Sequence, residues 1–387
     1  MDNKKRRYLV IGDANSMHIY NYVKNVLLPY NYEIHLLTLS VLPIREIYRK
    51  FYKKNDIFIH SVYEKGYRNL DKKDRFHRTI QLVEKVRLMR DIPPVDICHV
   101  HSVYKTSLYL IRIFKKKYDK LILSYWGGDI EDTSRTVVKL RKQCFEKADY
   151  ITVTVERTLE QFREIYGAQY DEKLKVCRFA TEGLECIHSI SEKKNRRECK
   201  KILQIPENKI CITCGYSAYA EQRQDVCLEQ IACLSEQYQE KIFVIVPMQY
   251  GRFDINYIKK VQEVAKKCKC DIKILEEYYS FEKSAMLAIA TDIYLHVRDT
   301  DAFSNALKEH IYSGNIVIKG DWLIYRELDD MMAKMISIES LSDINKKLEL
   351  VLDNFQLEDE IKLFDPIYEL YSVKSICEQW NEIIDSL

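Results

Sequence analysis

The sequence predicts an α/β fold made of two parallel-sheet domains, and three observations carry that reading. The chain has 387 residues, more than one compact core usually organises, so it divides into about two domains. Short apolar strands alternate with amphipathic helices along nearly its whole length, the pattern of parallel sheets. The alternation stops once, in the polar interval from Ala180 to Leu203, and then begins again.

In the first half the apolar runs place strands at Tyr8–Gly12, Glu33–Leu39, Ile57–Val62, Ile97–His101, Leu121–Trp126, Tyr150–Val155 and Leu174–Phe179. In the second they fall at Ile210–Tyr216, Ile242–Met248, Ile272–Glu277, Asp292–Val297 and Asn315–Gly320. Each half reads as Rossmann-like, and two such domains are expected to face each other across a cleft. The expected divisions are residues 1–180, a crossover at 181–209, a second domain at 210–365, and a C-terminal helix at 366–387 packing back on the first domain.

Composition narrows the function. Hydrophobic residues make up 47% and charged residues 31%, an ordinary globular balance, and no apolar run reaches the roughly 18 residues a membrane-spanning helix needs. The start, MDNKKRRYLVIGD, lacks the long apolar segment and small-residue cleavage site of a secretory signal, so a cytoplasmic protein is expected. Its twelve cysteines are then read as reduced; Cys98, Cys177, Cys211 and Cys214 sit in strand-like runs where a thiol packs as a small hydrophobe. Cys211 and Cys214 form a CxxC with no second pair at zinc spacing. The net charge of +3 hides a split: residues 1–180 hold 35 Lys and Arg against 22 Asp and Glu, or +13, leaving 26 against 36, or −10, for the rest. Basic clusters at Arg45–Lys54, Lys85–Arg90 and Arg112–Lys120 interleave cations with Tyr48, Phe51, Tyr52, Ile113 and Phe114. Such a surface suits peripheral contact with anionic lipid on the inner face of the plasma membrane, while plain solvated helix faces are the other reading. No motif for binding nucleic acid accompanies the charge.

Open parallel sheets bind ligands at the carboxyl ends of their strands, so the residues just after each strand are the candidates. After the first strand, Gly12 permits a tight turn, Asn15 or Ser16 can cap the following helix, and His18 would face the cleft from its first turn. A capped helix with an incidental histidine remains the alternative. His101 ends another strand, and a structural histidine bonded to a neighbouring carbonyl is its alternative. Trp126, Gly127, Gly128 and Asp129 follow a third; paired glycines let backbone approach a ligand, and Asp129 would project beside them, unless the segment is a plain turn. In the second half, Asp301 precedes a helix that carries Glu309. An eight-residue step spans about 12 Å, so the two carboxylates serve different parts of one elongated ligand. The N–H groups of Phe303, Ser304 and Asn305 at the helix start can receive phosphate, and Glu309 is spaced to accept from a neighbouring diol.

The stretch DAFSNALKEHIYSGNIVI resembles the donor-site motif of the retaining family 4 glycosyltransferases of the GT-B fold: an acid, a Phe, a Glu on the helix, a glycine and a strand. DANSMH, DICHVHS, SYWGGDI, RFATEGLE and CGYSAYAEQRQ are similar, in order, to that family's cleft loops and crossover, so the likeness spans most of the chain. FVIVPMQYG and YYSFEKSAMLAIATDIYLHV also resemble the lipid-linked fucosaminyl transferases. The resemblance implies transfer of a sugar from a nucleotide diphosphate-sugar to an acceptor hydroxyl with retention, without metal or other cofactor. The acceptor implied is a lipid-linked or polysaccharide intermediate of cell-surface glycan synthesis. It assigns Asp301 to the donor sugar, Glu309 to the ribose, and His101 and Asp129 to catalysis beside the acceptor, with Asn15, Ser16, His18, Trp126, Gly127 and Gly128 lining the acceptor side. Where the family has Gly-Arg this chain has Gly215-Tyr216, so the diphosphate needs another cation, with Arg223 and Arg252 as candidates. Asp299 and Asp301 also imitate a metal-binding acid pair of another transferase fold. A sugar-nucleotide epimerase or hydrolase, or a non-catalytic sugar-nucleotide binding subunit, are the rival functions.

Overall fold

The computed structural model describes residues 5–66, 75–127, 129–130, 132–251, 254–301, 303–329, 331 and 333–387. They form two compact units: residues 1–180 together with 373–387, and residues 181–372. Each unit is a single parallel sheet flanked by helices.

In the first unit the strands are β1 (Arg7–Gly12), β2 (Glu33–Thr38), β3 (Phe58–His60), β4 (Val95–His101), β5 (Tyr118–Ser124), β6 (Tyr150–Val153) and β7 (Leu174–Val176). They lie in the order β3-β2-β1-β4-β5-β6-β7, so the direction of winding reverses between β1 and β4. Tyr8 pairs with Ile97 and Ile11 with Val100 there. The runs expected at Ile57–Val62 and Leu174–Phe179 are shorter as strands because they sit at the two sheet edges, where only three residues each find a partner. The first helix is short. It is regular over Met17–Tyr22, widens to a π-turn at Val23–Leu27 and closes in a 3-10 turn at Leu28–Tyr30, since Pro29 has no N–H to extend the ladder.

Polar side chains cross this sheet inside the core. The hydroxyl of Tyr8 meets that of Tyr22 at 2.8 Å and His99 Nδ1 at 3.1 Å; His99 Nε2 meets Ser124 Oγ at 2.6 Å, which meets Thr152 Oγ1 at 2.6 Å. The line closes on the C-terminal helix Val373–Asp385, whose buried Trp380 packs on Tyr22 and His99 and donates Nε1–H to Arg178 O at 3.3 Å. The C-terminal segment is not one helix: Asp365–Tyr371 ends in the second unit, Ser372 is extended, and only Val373 onward joins the first.

In the second unit the strands are β8 (Ile210–Cys214), β9 (Ile242–Pro247), β10 (Asp271–Leu275), β11 (Ile293–His296), β12 (Ile316–Gly320) and β13 (Met335–Ile338), in the order β10-β9-β8-β11-β12-β13. Winding reverses between β8 and β11, with Ile293 opposite Ile212. The sequence reading missed β13, a four-residue, half-exposed edge strand too short for its pattern to register. The interval at 181–209 is more than a crossover. It forms helices Glu182–Ser191 and Arg196–Ile202 packed on the helix Phe281–Ala290, and Asn195 begins the second with a capping box shared with Glu198. Arg196 and Lys200 anchor it by pairing with buried Asp292 at 3.6 and 2.6 Å.

The buried histidines carry a pH signature. Burial, with a smaller contribution from His18, drives His101 down to about 3, and burial drives His99 well below its usual value. Unfolded, both take a proton near pH 6.5; folded, they refuse it, so the unfolded state binds more protons and stability falls as pH drops below 6.5. We predict that the urea midpoint of the first unit falls steeply between pH 6.5 and 5, each histidine contributing up to about 1.4 kcal/mol per pH unit. Fluorescence checks it, because Trp126 and Trp380, two of the three tryptophans, report on this unit.

Candidate functional site

The first unit presents its candidates at the carboxyl ends of β1, β4 and β5. A Cβ added at Gly12 would lie 2.2 Å from Ile19 Cδ1, so the glycine lets the first helix pack directly on the strand end. Ser16 occupies the N-cap position, but its side chain makes no cap bond. Asn15 is used sideways: its Oδ1 accepts from Arg45 N at 2.8 Å and its Nδ2 donates to Pro43 O at 3.1 Å, tying the loops after β1 and β2 together. His18 stacks on Phe179 with ring centroids 4.5 Å apart and meets Trp126 edge-on at 5.4 Å. These three rings form one aromatic group.

Two residues sit deeper than the sequence suggested. His101 is fully buried, its ring tilted against that of His99 at 3.9 Å and edge-on to Trp126 at 5.7 Å, with no hydrogen-bond partner for either ring nitrogen among the described residues. Asp129 turns inward. It is 1% exposed and accepts from Val103 N at 2.7 Å, Trp126 N at 2.8 Å and Gly127 N at 3.1 Å, while Arg141 donates to its carbonyl oxygen. A carboxylate that satisfies three backbone donors holds the loops after β4 and β5 in place. Gly128 lies outside the described residues.

In the second unit the loop after β11 is built around Asp301. Its carboxylate accepts from Ser304 N at 2.8 Å, Tyr325 Oη at 3.0 Å, Arg298 Nη1 at 3.1 Å and, through the N–H tautomer, His296 Nε2 at 3.2 Å. Burial alone would raise this acid; those donors outweigh it and hold Asp301 at about 2. The Ser304 N–H is therefore already engaged. The helix begins at Asn305, two residues later than the sequence implied, because Phe303 takes a left-handed backbone (φ 63°) and buries its ring against Tyr325 and Tyr371. Thr181 Oγ1 donates to Asn305 Oδ1 at 3.1 Å, which ties the interval after residue 180 to this helix.

Glu309 behaves oppositely to Asp301. Its carboxyl has no hydrogen-bond partner among the described residues, and burial pushes it up to about 7 against the opposing pull of Lys308. It lies against the first turn of the helix Glu182–Ser191, where a Cβ on Gly183 would come within 2.0 Å of Oε1. The absence of a side chain at 183 makes room for the acid. Gly215, following β8, has φ 63° and donates its N–H to Leu295 O at 3.0 Å. Tyr216 follows it, 6.3 Å from Tyr250.

Of the candidate cations, Arg223 is half-exposed and pairs with Asp299 at 2.7 Å, and Arg252 lies outside the described residues. Asp299 and Asp301 are thus committed to separate partners, and among the described residues no group of three or more acids, histidines or cysteines is placed to hold a metal ion. The sequence reading missed Arg298, which enters the site from the loop after β11. Its signal was its place two residues after a central strand. Also missed were Tyr325 and His296, which orient Asp301 and have no motif of their own.

Asp129→Ala leaves three N–H groups without their acceptor, that of Val103 buried and those of Trp126 and Gly127 partly buried. It is predicted to destabilise the first unit by about 2 kcal/mol or more, since a buried orphaned group costs roughly 1 to 3 kcal/mol. A ligand-facing Asp129 would leave the urea midpoint unchanged.

Comparison with known proteins gives this geometry its context. Residues 7–155 match the family model described as glycosyl transferase 4-like. Along its whole length the chain superposes on HepE (Alr3699) from Anabaena, solved in complex with UDP and glucose, at 10% identity and a TM-score of 0.70, covering 99% of this chain and 100% of that one. A glycosyltransferase from Rickettsia africae aligns at 13% identity and a TM-score of 0.71 over 99% and 98% of the two chains. Sucrose-phosphate synthase from Thermosynechococcus elongatus aligns at 11% and 0.70 over 99% of each. No curated protein matches by sequence. Residues 7–155 are thus similar to the glycosyl transferase 4-like family, and the chain has, over the length aligned, the two-Rossmann GT-B fold of these solved structures.

Proposed function

We propose that this protein transfers a sugar from a nucleotide diphosphate-sugar to an acceptor hydroxyl, with retention and without a metal ion. The observation that carries the reading is Glu309. Asp292 and Asp301 are saturated with donors, whereas Glu309 alone of these three acids is left with open acceptor capacity. A carboxylate with open lone pairs beside a helix start suits the vicinal hydroxyls of a ribose. HepE is solved with UDP, which supports a nucleotide in this role. Asp301 serves this site by shaping the loop.

On the acceptor side, the rings of His18, Trp126 and Phe179 offer a face for a sugar, with His101 beneath them. We assign the acceptor to a lipid-linked or polysaccharide intermediate met at an anionic surface. Of the residues named for that contact, Tyr52 is buried and donates to Ala14 O, and Lys117 donates to Arg90 O. Arg45, Ile47, Lys50, Lys53 and Lys54 on one helix, and Arg112, Ile113, Lys115 and Lys116 on another segment, remain exposed to make it. Among the described residues no helix is long and apolar enough to cross a membrane.

Incubation with radiolabelled nucleotide-sugars, with and without a membrane acceptor fraction, tests the reaction. Transfer that requires the acceptor and survives EDTA is expected; acceptor-independent loss or isomerisation of the sugar points to the hydrolase or epimerase, and binding without turnover to a carrier subunit.

Glu309→Gln is predicted to weaken nucleotide binding about tenfold or more, since a hydrogen bond to a charged group contributes roughly 1.5 to 3 kcal/mol. The wild type should bind more tightly as pH rises through about 7, as the acid ionises, and the Gln variant should lack that dependence. Calorimetry across pH 6 to 8 reads both.

A further inference from the structure

We propose that Arg298 is the cation that meets the leaving diphosphate and that Tyr216 holds it in position, an assignment that rests on the transfer reaction above. The placement is topological first. In an open parallel sheet the ligand crevice opens where strand order reverses, here between β8 and β11. Tyr216 lies two residues beyond the end of β8, and Arg298 two residues beyond the end of β11.

The side-chain geometry then selects Arg298. Its guanidinium lies over the Tyr216 ring, 5.4 Å from the centroid, and Nη1 donates to both the Tyr216 hydroxyl and Asp301 Oδ1. Its own carbonyl accepts from Trp322 Nε1 at 2.8 Å, so backbone and head group are both fixed. The other two nitrogens are nearly unpartnered. Nη2 has only Glu221 at 3.5 Å, a residue whose side chain is 61% exposed, and Nε, itself buried, has no partner among the described residues. A planar guanidinium pinned through Nη1, with Nη2 held only by an exposed carboxylate, is arranged to offer Nη2 to a phosphate oxygen, which displaces Glu221.

Among the described residues, three other cations of this unit are committed elsewhere. Arg223 bonds Asp299. The ammonium of Lys308 sits over the rings of Phe303 and Tyr371, at 4.9 and 4.3 Å. Lys319 donates to Gly320 O and Leu323 O. Tyrosine at 216 has a reason in this arrangement, because it supplies a neutral face and a hydroxyl acceptor beneath the arginine, where a second cation would repel it.

In the transfer, the anomeric carbon's bond to the diphosphate breaks with its electron pair going to the phosphate oxygen. The acceptor oxygen bonds to that carbon, and its proton passes to the departing phosphate. Arg298 stabilises the charge that develops on the diphosphate.

Calorimetry with ADP, GDP, TDP and UDP, and with the nucleoside of whichever binds best, tests the assignment. Arg298→Gln should weaken the diphosphate at least tenfold and leave the nucleoside unchanged. Arg298→Lys, which keeps the charge beside Asp301, should recover part of that loss. Tyr216→Phe should lower kcat several-fold with donor KM within about twofold, the mark of a residue that positions the cation. Equal weakening of nucleoside and diphosphate in both Arg298 variants, or no weakening in either, overturns the role of Arg298. If the wild type binds none of the four diphosphates, the transfer reaction itself falls, and the assignment with it.

Discussion

The second unit depends on one buried carboxylate. Asp301 gathers a backbone N–H, a phenol, an imidazole and a guanidinium, and each of these donors belongs to a different functional part. Ser304 begins the helix that bears Glu309, Tyr325 comes from the segment after β12, His296 ends β11, and Arg298 reaches the crevice. Removing one partner from such a group leaves buried charge uncompensated, typically a loss of about 3 to 5 kcal/mol. The strain of Phe303 in a left-handed conformation is tolerable only because this network fixes the residues on either side of it.

The first unit solves a related problem with neutral groups. Its hydroxyl and imidazole line runs from Tyr22 to Thr152 across β1, β4, β5 and β6, so neighbouring strands are bound to each other through their side chains as well as their backbones. Asp129 extends the same logic to the loops above. The carboxylates of Asp129 and Asp301, which looked ligand-facing, are internal ties.

Much of this was legible in the residues. Strand and helix alternation located both sheets, since buried parallel strands read as short apolar runs regardless of context. The helix that carries Glu309 was legible too, because helix, acid and following strand come in one stretch. Asp301 and Asp129 were placed correctly but their direction was not, since nothing local tells whether an acid after a strand faces out or accepts from its own loop. Arg298 was invisible for a different reason: its role comes from Tyr216, 82 residues away, and from strand order, which no single window contains. The helices after residue 180 were obscured by their charge, part of which, at Arg196 and Lys200, belongs to buried Asp292 and not to solvent.

The division of the chain also orders its synthesis. The second unit is continuous, so every residue it needs has left the ribosome once Ser372 has emerged. The first is split, and the pocket around Tyr22 and His99 stays open until Trp380 arrives. A nascent chain therefore carries an unsealed amino-terminal sheet while the later unit completes itself. A chain broken off between Ser372 and Trp380 would leave that sheet permanently open, although it would retain the whole of the second unit.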